Sequence, residues 1–223
     1  MPSLTVENYL KTVLQICVES GSEWASTGQI ATALNVSPGT VTSMLKTLSD
    51  SRLAQYKPYS GVKLTKQGRA LAMRMLRRHR LLELFLVRTL DLTWDQVHDE
   101  AERMEHAVSD ELTDRIDEYL GQPDVDPHGD PIPTADGTLT GEDSGIPLAE
   151  TDDGDTIRII RVRNQQPDFL RYLSEHGMDL GAVGTVRENS EAGGIVAVQM
   201  PEKLVTLGQA AAEMLYVERI SDD

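Results

Sequence analysis

Thr27-Gly-Gln-Ile-Ala-Thr-Ala-Leu34, then Asn35-Val-Ser37, then Pro38-Gly-Thr40-Val-Thr42-Ser43-Met-Leu-Lys46 is the stretch on which the fold turns. It reads as a short helix, a tight turn and a further helix, which Ser37 caps, Pro38 opens and Ser51 or so ends. Toward the N-terminus, Tyr9, Leu10, Val13, Leu14, Cys17 and Val18 recur at three- and four-residue steps, predicting a helix from about Thr5 to Ser20. Toward the C-terminus, Leu53 to Lys57 and Val62 to Thr65 flank Pro58-Tyr-Ser-Gly61, the pattern of a hairpin with its turn at the tip. Helix, helix-turn-helix, hairpin is the order of a winged helix.

Beyond it a longer helix is expected from about Lys66 to Thr89. A second follows with Thr93 as its cap before Trp94, and a third covers Ser109 to Leu120. The run Leu81-Leu-Glu-Leu84-Phe-Leu-Val87 is apolar on more than one side, and a two-fold dimer contact would absorb that surface. Gly121 to Glu150 turns to Pro, Gly and Asp with little periodicity, which fits either a linker or an ordered, irregular crossing. Strand patterns then appear at Asp155 to Arg163, Gly184 to Arg187, Ile195 to Gln199 and Leu215 to Ile220, with one helical insertion from Pro167 to His176. The expected fold is mainly α with a small β portion. It comprises a winged-helix DNA-binding domain (1–70), a helical metal-binding and dimerisation domain with its linker (71–147), and a small β-barrel (148–223).

The net charge of −15 over 223 residues argues against a nucleic-acid partner until it is divided along the chain. Residues 1–80 hold 11 basic and 4 acidic groups, residues 81–147 hold 3 and 18, and residues 148–223 hold 7 and 14. The basic front suits a polyanion. Exposed hydroxyls and the helix start at Ser37, Pro38, Gly39, Thr40, Thr42 and Ser43, with Lys46 beside them, are the expected contacts to double-stranded operator DNA. The plain alternative is that these hydroxyls only cap and solvate their helix. Lys57, Lys63 and Lys66 would add charge around that contact.

The acidic middle carries His98-Asp-Glu-Ala-Glu102-Arg-Met-Glu105-His106, preceded by His79 and Glu83. On a continuous helix, positions 98, 102, 105 and 106 fall within roughly 100° of arc, so one face could hold a divalent metal. A carboxylate-rich helix shows such spacing by chance, but three of the chain's five histidines fall here. Imidazole with carboxylate oxygen and no thiolate suits Mn(II), Fe(II), Co(II), Ni(II) or Zn(II). The single Cys17 excludes an intrachain disulfide and a multi-thiolate zinc site.

Three stretches carry a family likeness: Arg78-His-Arg-Leu-Leu-Glu83, Val97-His-Asp-Glu-Ala-Glu-Arg-Met-Glu-His-Ala-Val-Ser-Asp-Glu111 and His128-Gly-Asp-Pro-Ile-Pro133. Through them the chain resembles, over essentially its whole length, the diphtheria toxin repressor family of metal-dependent transcriptional repressors, which includes manganese-transport regulators. The resemblance implies an SH3-like form for the barrel and two metal sites. The ancillary site would use His79, Glu83 and His98, completed by Gln165 and Asp168. The primary site would use Asn8, Glu102, Glu105 and His106, with the carbonyl of Glu102. Where the iron-responsive branch has a thiol at position 102 and a thioether at position 8, this chain has Glu102 and Asn8. Where the manganese branch has Asp at position 8 and a carboxylate at position 11, it has Asn8 and Lys11.

The expectation that follows is a cytoplasmic, homodimeric repressor with a divalent metal as corepressor. The oxygen donors favour Mn(II) over Fe(II), and other divalent transition metals fit in vitro. A winged-helix regulator that senses no metal is the alternative. An enzyme is not expected, because no His-Glu-x-x-His pair, positioned nucleophile and base, or Gly-rich phosphate loop is present, and no small-molecule substrate is implied. Neither a membrane-length apolar run nor a basic-then-apolar N-terminus appears.

Overall fold

In the computed structural model, residues 3–139 and 145–220 are described. The outermost residues of the first and last expected domains, and 140–144 of the crossing segment, lie outside them. The chain forms two compact units. The first gathers Met1–His79, Glu105–Val108 and Pro133–Thr138, and the second Arg80–Met104, Ser109–Ile132 and Leu139–Asp223.

The first unit is built on α1 (Leu4–Glu19), α2 (Thr27–Ala33) and α3 (Pro38–Asp50), followed by β1 (Ala54–Lys57) and β2 (Gly61–Leu64). Each helix has a hydroxyl cap: Ser3 accepts from the amide of Val6, Ser26 from Gln29 in a full capping box, and Ser37 from Thr40. Leu10, Val13, Leu14, Ile30, Val41, Leu45, Leu48 and Val62 are fully buried and form the apolar centre of this winged helix. β1 and β2 pair antiparallel with Ala54 opposite Leu64, and Ala25 bridges to Val62 as a third edge.

The long helix α4 (Lys66–Leu90) begins in this unit, where Gly68 lies so close to the carbonyl of Leu53 that a Cβ would stand 1.9 Å from that oxygen. The hairpin is thereby pressed onto the start of α4.

In the second unit α4 continues, followed by α5 (Val97–Met104) and α6 (Asp110–Leu120). α5 starts later than the Thr93 cap predicts, because Thr93 and Gln96 close a turn on each other, the amide of Gln96 donating to the carbonyl of Thr93 at 2.9 Å. α5 also ends at Met104, so Glu105 and His106 stand in a turn and not on the helical face that carries His98 and Glu102. Leu81, Leu82, Leu84 and Leu86 are at most 5% exposed within the single chain, so they cannot be the apolar surface left for a partner. Leu90, Leu112 and Tyr119 are the apolar residues of these helices that face solvent.

Residues 121–139 follow an ordered irregular course, with one bridge between Val125 and Pro131. The remainder is a six-stranded antiparallel sheet in the order β3-β8-β4-β5-β6-β7. Its strands are β3 (Ile146–Pro147), β4 (Thr156–Val162), β5 (Val183–Ser190), β6 (Ile195–Gln199), β7 (Leu204–Gly208) and β8 (Leu215–Arg219). α7 (Pro167–Glu175) is inserted after β4, and the one-turn α8 (Gln209–Ala212) leads into β8. Ile157, Ile159, Leu173, Val186, Val198 and Val217 are among its fully buried residues. β3, β7 and α8 are additions to the expected pattern. β3 is only two residues long and Leu204-Val-Thr-Leu-Gly208 gives a brief alternation, so neither makes a strong strand signal.

Among the described residues no helix is long and apolar enough to cross a membrane. Replacing Gly68 by Ala is expected to destabilise the chain by about 1–3 kcal/mol through overpacking against Leu53. Gly39→Ala meets only the Ser37 hydroxyl at 3.8 Å and should leave the thermal midpoint, followed by circular dichroism, nearly unchanged.

Candidate metal centre and DNA-facing helix

In the first unit the centre is Glu105, fully buried in the turn after α5. The Lys11 ammonium donates to both of its carboxylate oxygens, at 2.7 and 2.8 Å, and His79 Nδ1 donates to Oε2 at 2.7 Å. Arg78 fixes the same residue through its main chain, donating to the Glu105 carbonyl at 2.8 Å. Burial pushes the Glu105 carboxyl up, but the hydrogen bond from His79 and the charges of Lys11 and His79 outweigh it and hold the group below the usual carboxylate range. His106 lies beside it, with Nε2 3.5 Å from Glu105 Oε1 and Nδ1 donating to Glu7 Oε2 at 2.8 Å. Glu7, Asn8 and Lys11 share an arc of roughly 100° on α1. The side-chain oxygen of Asn8 is buried and has no hydrogen-bond partner. An orphaned carbonyl oxygen costs stability unless something positive meets it, so residue 8 fits as an oxygen donor to a cation.

The second unit holds further donors. Glu83, 1% exposed, receives His98 Nδ1 at 3.2 Å, and His98 Nε2 is 4.0 Å from Glu102 one turn on along α5. The other oxygen of Glu83 faces His128 Nδ1 at 3.8 Å, and His128 in turn lies 4.0 Å from Asp126. His79 stands one turn before Glu83 on α4. Of the two residues expected from the barrel, Gln165 donates to Asp130 at 2.9 Å, while the Asp168 side chain is 96% exposed and ion-paired with Arg171. Glu83, Asp126 and His128 form a buried group whose donor atoms lie within 4.8 Å of one another.

Sequence reasoning missed four participants: Glu7, Lys11 as the counter-ion of Glu105, Asp126 and His128. Glu7 and Lys11 sit on the face of α1 that carries Asn8, so helical spacing around position 8 could have found them. Asp126 and His128 lie in a segment without periodicity, where spacing carries no information.

At the start of α3, Ser37, Pro38, Gly39, Thr40, Ser43 and Lys46 are exposed and Thr42 is half-buried. Part of the hydroxyl capacity is used locally. Ser37 caps the helix and shares a 2.8 Å bond with the Thr40 hydroxyl, and Thr42 donates to the carbonyl of Pro38 at 2.9 Å. Around the hairpin, Lys63 pairs with Glu23 at 2.6 Å and Lys57 lies 5.0 Å above the ring of Trp24, while Tyr59 at the tip is fully exposed.

A winged helix joined to helices bearing clustered imidazole and carboxylate groups defines the class of metal-responsive DNA-binding regulators. Residues 1–62 match the iron dependent repressor, N-terminal DNA binding domain. Residues 65–134 match the metal binding and dimerisation domain of the same repressors, and residues 146–219 the FeoA domain, which is SH3-like. The chain is 30% identical over 231 residues to the iron-dependent repressor IdeR of Mycobacterium tuberculosis, with 97% of each covered. It is 31% identical over 226 residues to the diphtheria toxin repressor of Corynebacterium efficiens, covering 97% of this chain and 96% of that one. A solved manganese-dependent transcriptional repressor in complex with manganese superposes with a TM-score of 0.84 at 39% identity, covering 96% of this chain and all of the other. The chain belongs to the diphtheria toxin repressor family of metal-dependent transcriptional repressors.

The Lys11–Glu105 pair yields a stability test. Lys11→Met leaves Glu105 buried with its strongest counter-charge gone and is expected to cost about 3–5 kcal/mol in urea denaturation of the metal-free chain. Lys63→Met breaks an exposed pair and should cost no more than about 1 kcal/mol.

Proposed function

We propose that the chain is a homodimeric, cytoplasmic transcriptional repressor that holds operator DNA when divalent metal is bound, with Mn(II) preferred to Fe(II). The observation that carries this reading is the convergence of Glu105 and His106 with α1, where the Asn8 oxygen is buried and unpartnered. In this proposal Asn8, Glu102, Glu105 and His106 hold the primary ion. His79, Glu83 and His98 hold the ancillary one, which Gln165 and Asp168 join only by leaving Asp130 and Arg171. Oxygen-rich donors without sulfur support Mn(II). Residues 1–70 read DNA, 71–147 bind metal and dimerise, and 148–223 form the accessory barrel. The exposed Leu112 and Tyr119 of α6 belong to the dimer face.

Bound metal supplies two positive charges shared among donors on α1 and around the α5 turn. The chain's own residues set the rest. Lys11 compensates Glu105 on both oxygens, so Glu105 would serve as a ligand only by exchanging one cation for another. Glu7 holds the His106 ring through Nδ1, which leaves Nε2, the nitrogen beside Glu105, as the donor. Ser37, Pro38, Gly39, Thr40, Thr42, Ser43 and Lys46 present the start of α3 to the duplex, and a fixed spacing of two such helices gives affinity that loose arms would lose.

The Lys11–Glu105 bond also supports a second reading, a regulator whose built-in cation makes metal unnecessary. A mobility-shift assay with an operator fragment separates the two. Under the favoured reading Mn(II) strengthens retention at least tenfold, and Glu102→Ala loses that gain while keeping its circular dichroism spectrum. Equal retention after thorough chelation establishes the second reading instead. The Lys11→Met loss of stability should also be largely restored by Mn(II), since the ion replaces the missing charge at Glu105.

A further inference from the structure

We propose that the barrel binds a small aliphatic polyamine in a cavity of its own, bounded by the one-turn helix Leu148–Glu150, the end of β5 and α8. The cavity has a volume of about 770 Å³, inside the range of roughly 300–1,000 Å³ usual for small-molecule sites and far more than one metal ion fills. None of its lining residues belongs to the DNA-facing helix or to the metal centre.

The charge around it is one-sided. Glu150, Asp152, Asp153, Glu191 and Glu213 line the space. Arg219 answers only Asp152, donating to its Oδ2 at 2.9 Å and to Asp155 outside the cavity at 2.6 Å. Among the described residues, Glu150, Asp153, Glu191 and Glu213 have no basic side chain within ion-pair distance. Two side chains able to donate into the space are turned into its wall instead. Asn189 Nδ2 donates to the carbonyls of Ala149 and Thr151, at 2.9 and 2.7 Å, and the Thr151 hydroxyl donates to that of Leu148 at 2.7 Å. The side-chain oxygen of Gln209, a residue of the same lining, is buried and has no hydrogen-bond partner. A buried carbonyl oxygen is destabilising until a donor meets it, so this one marks a place for a donor from outside the chain.

Spacing and lining decide the class of cation. Among the described residues, the acidic and histidine groups whose donor atoms converge within 4.8 Å all lie elsewhere, so no three of these carboxylates close on a single metal ion. Charges spread around an open space suit a ligand with several positive centres on a flexible chain. Its ammonium N–H groups can bond the carboxylates and the Gln209 oxygen, and the methylenes between them can lie along Pro147 and Ala149, the apolar part of the wall. That wall is formed in advance. The Asn189 amide donates to Asp153 Oδ1 at 2.7 Å, which ties the carboxylate to β5. The Gln209 amide donates to the carbonyl of Gly194 and the Glu213 amide to that of Gln209, both at 2.9 Å, so Gln209 and Glu213 stand one turn apart on the same side of α8. A preformed site loses less to ordering when it binds.

Isothermal titration of the full chain with spermidine, in metal-free buffer at near-physiological salt, tests the site. One saturable equivalent per chain is expected, with putrescine weaker and the singly charged butylamine not measurably bound. Glu150→Gln combined with Glu213→Gln should weaken spermidine by about tenfold or more. Glu188→Gln combined with Glu202→Gln, the same change of charge outside the cavity, should leave it unchanged. Gln209→Leu should weaken it several-fold without lowering the thermal midpoint of the free chain, because it removes an oxygen that nothing satisfied. Absence of saturable binding overturns the proposal, and so does an equal loss in the two double variants, which would mean attraction to net negative charge alone. Neither outcome bears on the corepressor reading, whose test is retention of DNA with metal.

Discussion

A carboxylate buried to 0% exposure has to be compensated where it stands, and in this chain that carboxylate is Glu105. Lys11 comes from the second turn of α1, His79 from the middle of α4, and Arg78 secures the backbone. Three parts of the first unit, far apart in sequence, therefore owe their relative positions to one charge. The arrangement is costly to assemble, because two desolvated ions gain little over apolar packing, yet strongly destabilised when a single partner is lost. A pair of that kind specifies geometry more than it adds stability. It fixes α1, which leads into the winged helix, against the turn that bears His106.

The same logic explains how an acidic chain keeps a basic DNA-binding end. Its surplus of carboxylates lies in residues 81–223, while the winged helix retains a positive balance. Two of that unit's lysines are restrained by their neighbours, Lys63 by Glu23 and Lys57 by the Trp24 ring. Lys46 stands exposed on α3 about two turns beyond the helix start, so its charge extends the positive field of the amide-rich end along the helix.

Much of this architecture was legible in the residues. Regular elements announce themselves through period and caps, so the Ser37-Pro38 start, the hairpin around Pro58 to Gly61 and α4 were found within a residue or two. Where a helix stops was harder to read. The run from His98 to His106 keeps a helical spacing of donors, but the backbone leaves the helix at Met104, and that departure sends Glu105 toward Lys11 while His98 stays with Glu83. The spacing thus marked donors but not which neighbours the backbone gives each of them. Burial misled in a similar way at Leu81 to Leu86, since a helix apolar all round is covered by its own chain as readily as by a partner. Asp126 and His128 gave no periodic signal, because an irregular loop is ordered by bonds such as Asp126 to its own amides, which composition does not encode.

The two carboxylate centres differ in what already neutralises them, and that difference orders their chemistry. Glu105 has an ammonium on both oxygens, so any external cation competes with a tethered one whose effective concentration is high. Glu83 divides its oxygens between two imidazoles, His98 at 3.2 Å and His128 at 3.8 Å. A cation entering at Glu105 would first have to remove an attraction, so a metal ion and the Lys11 ammonium are alternatives there and not additions.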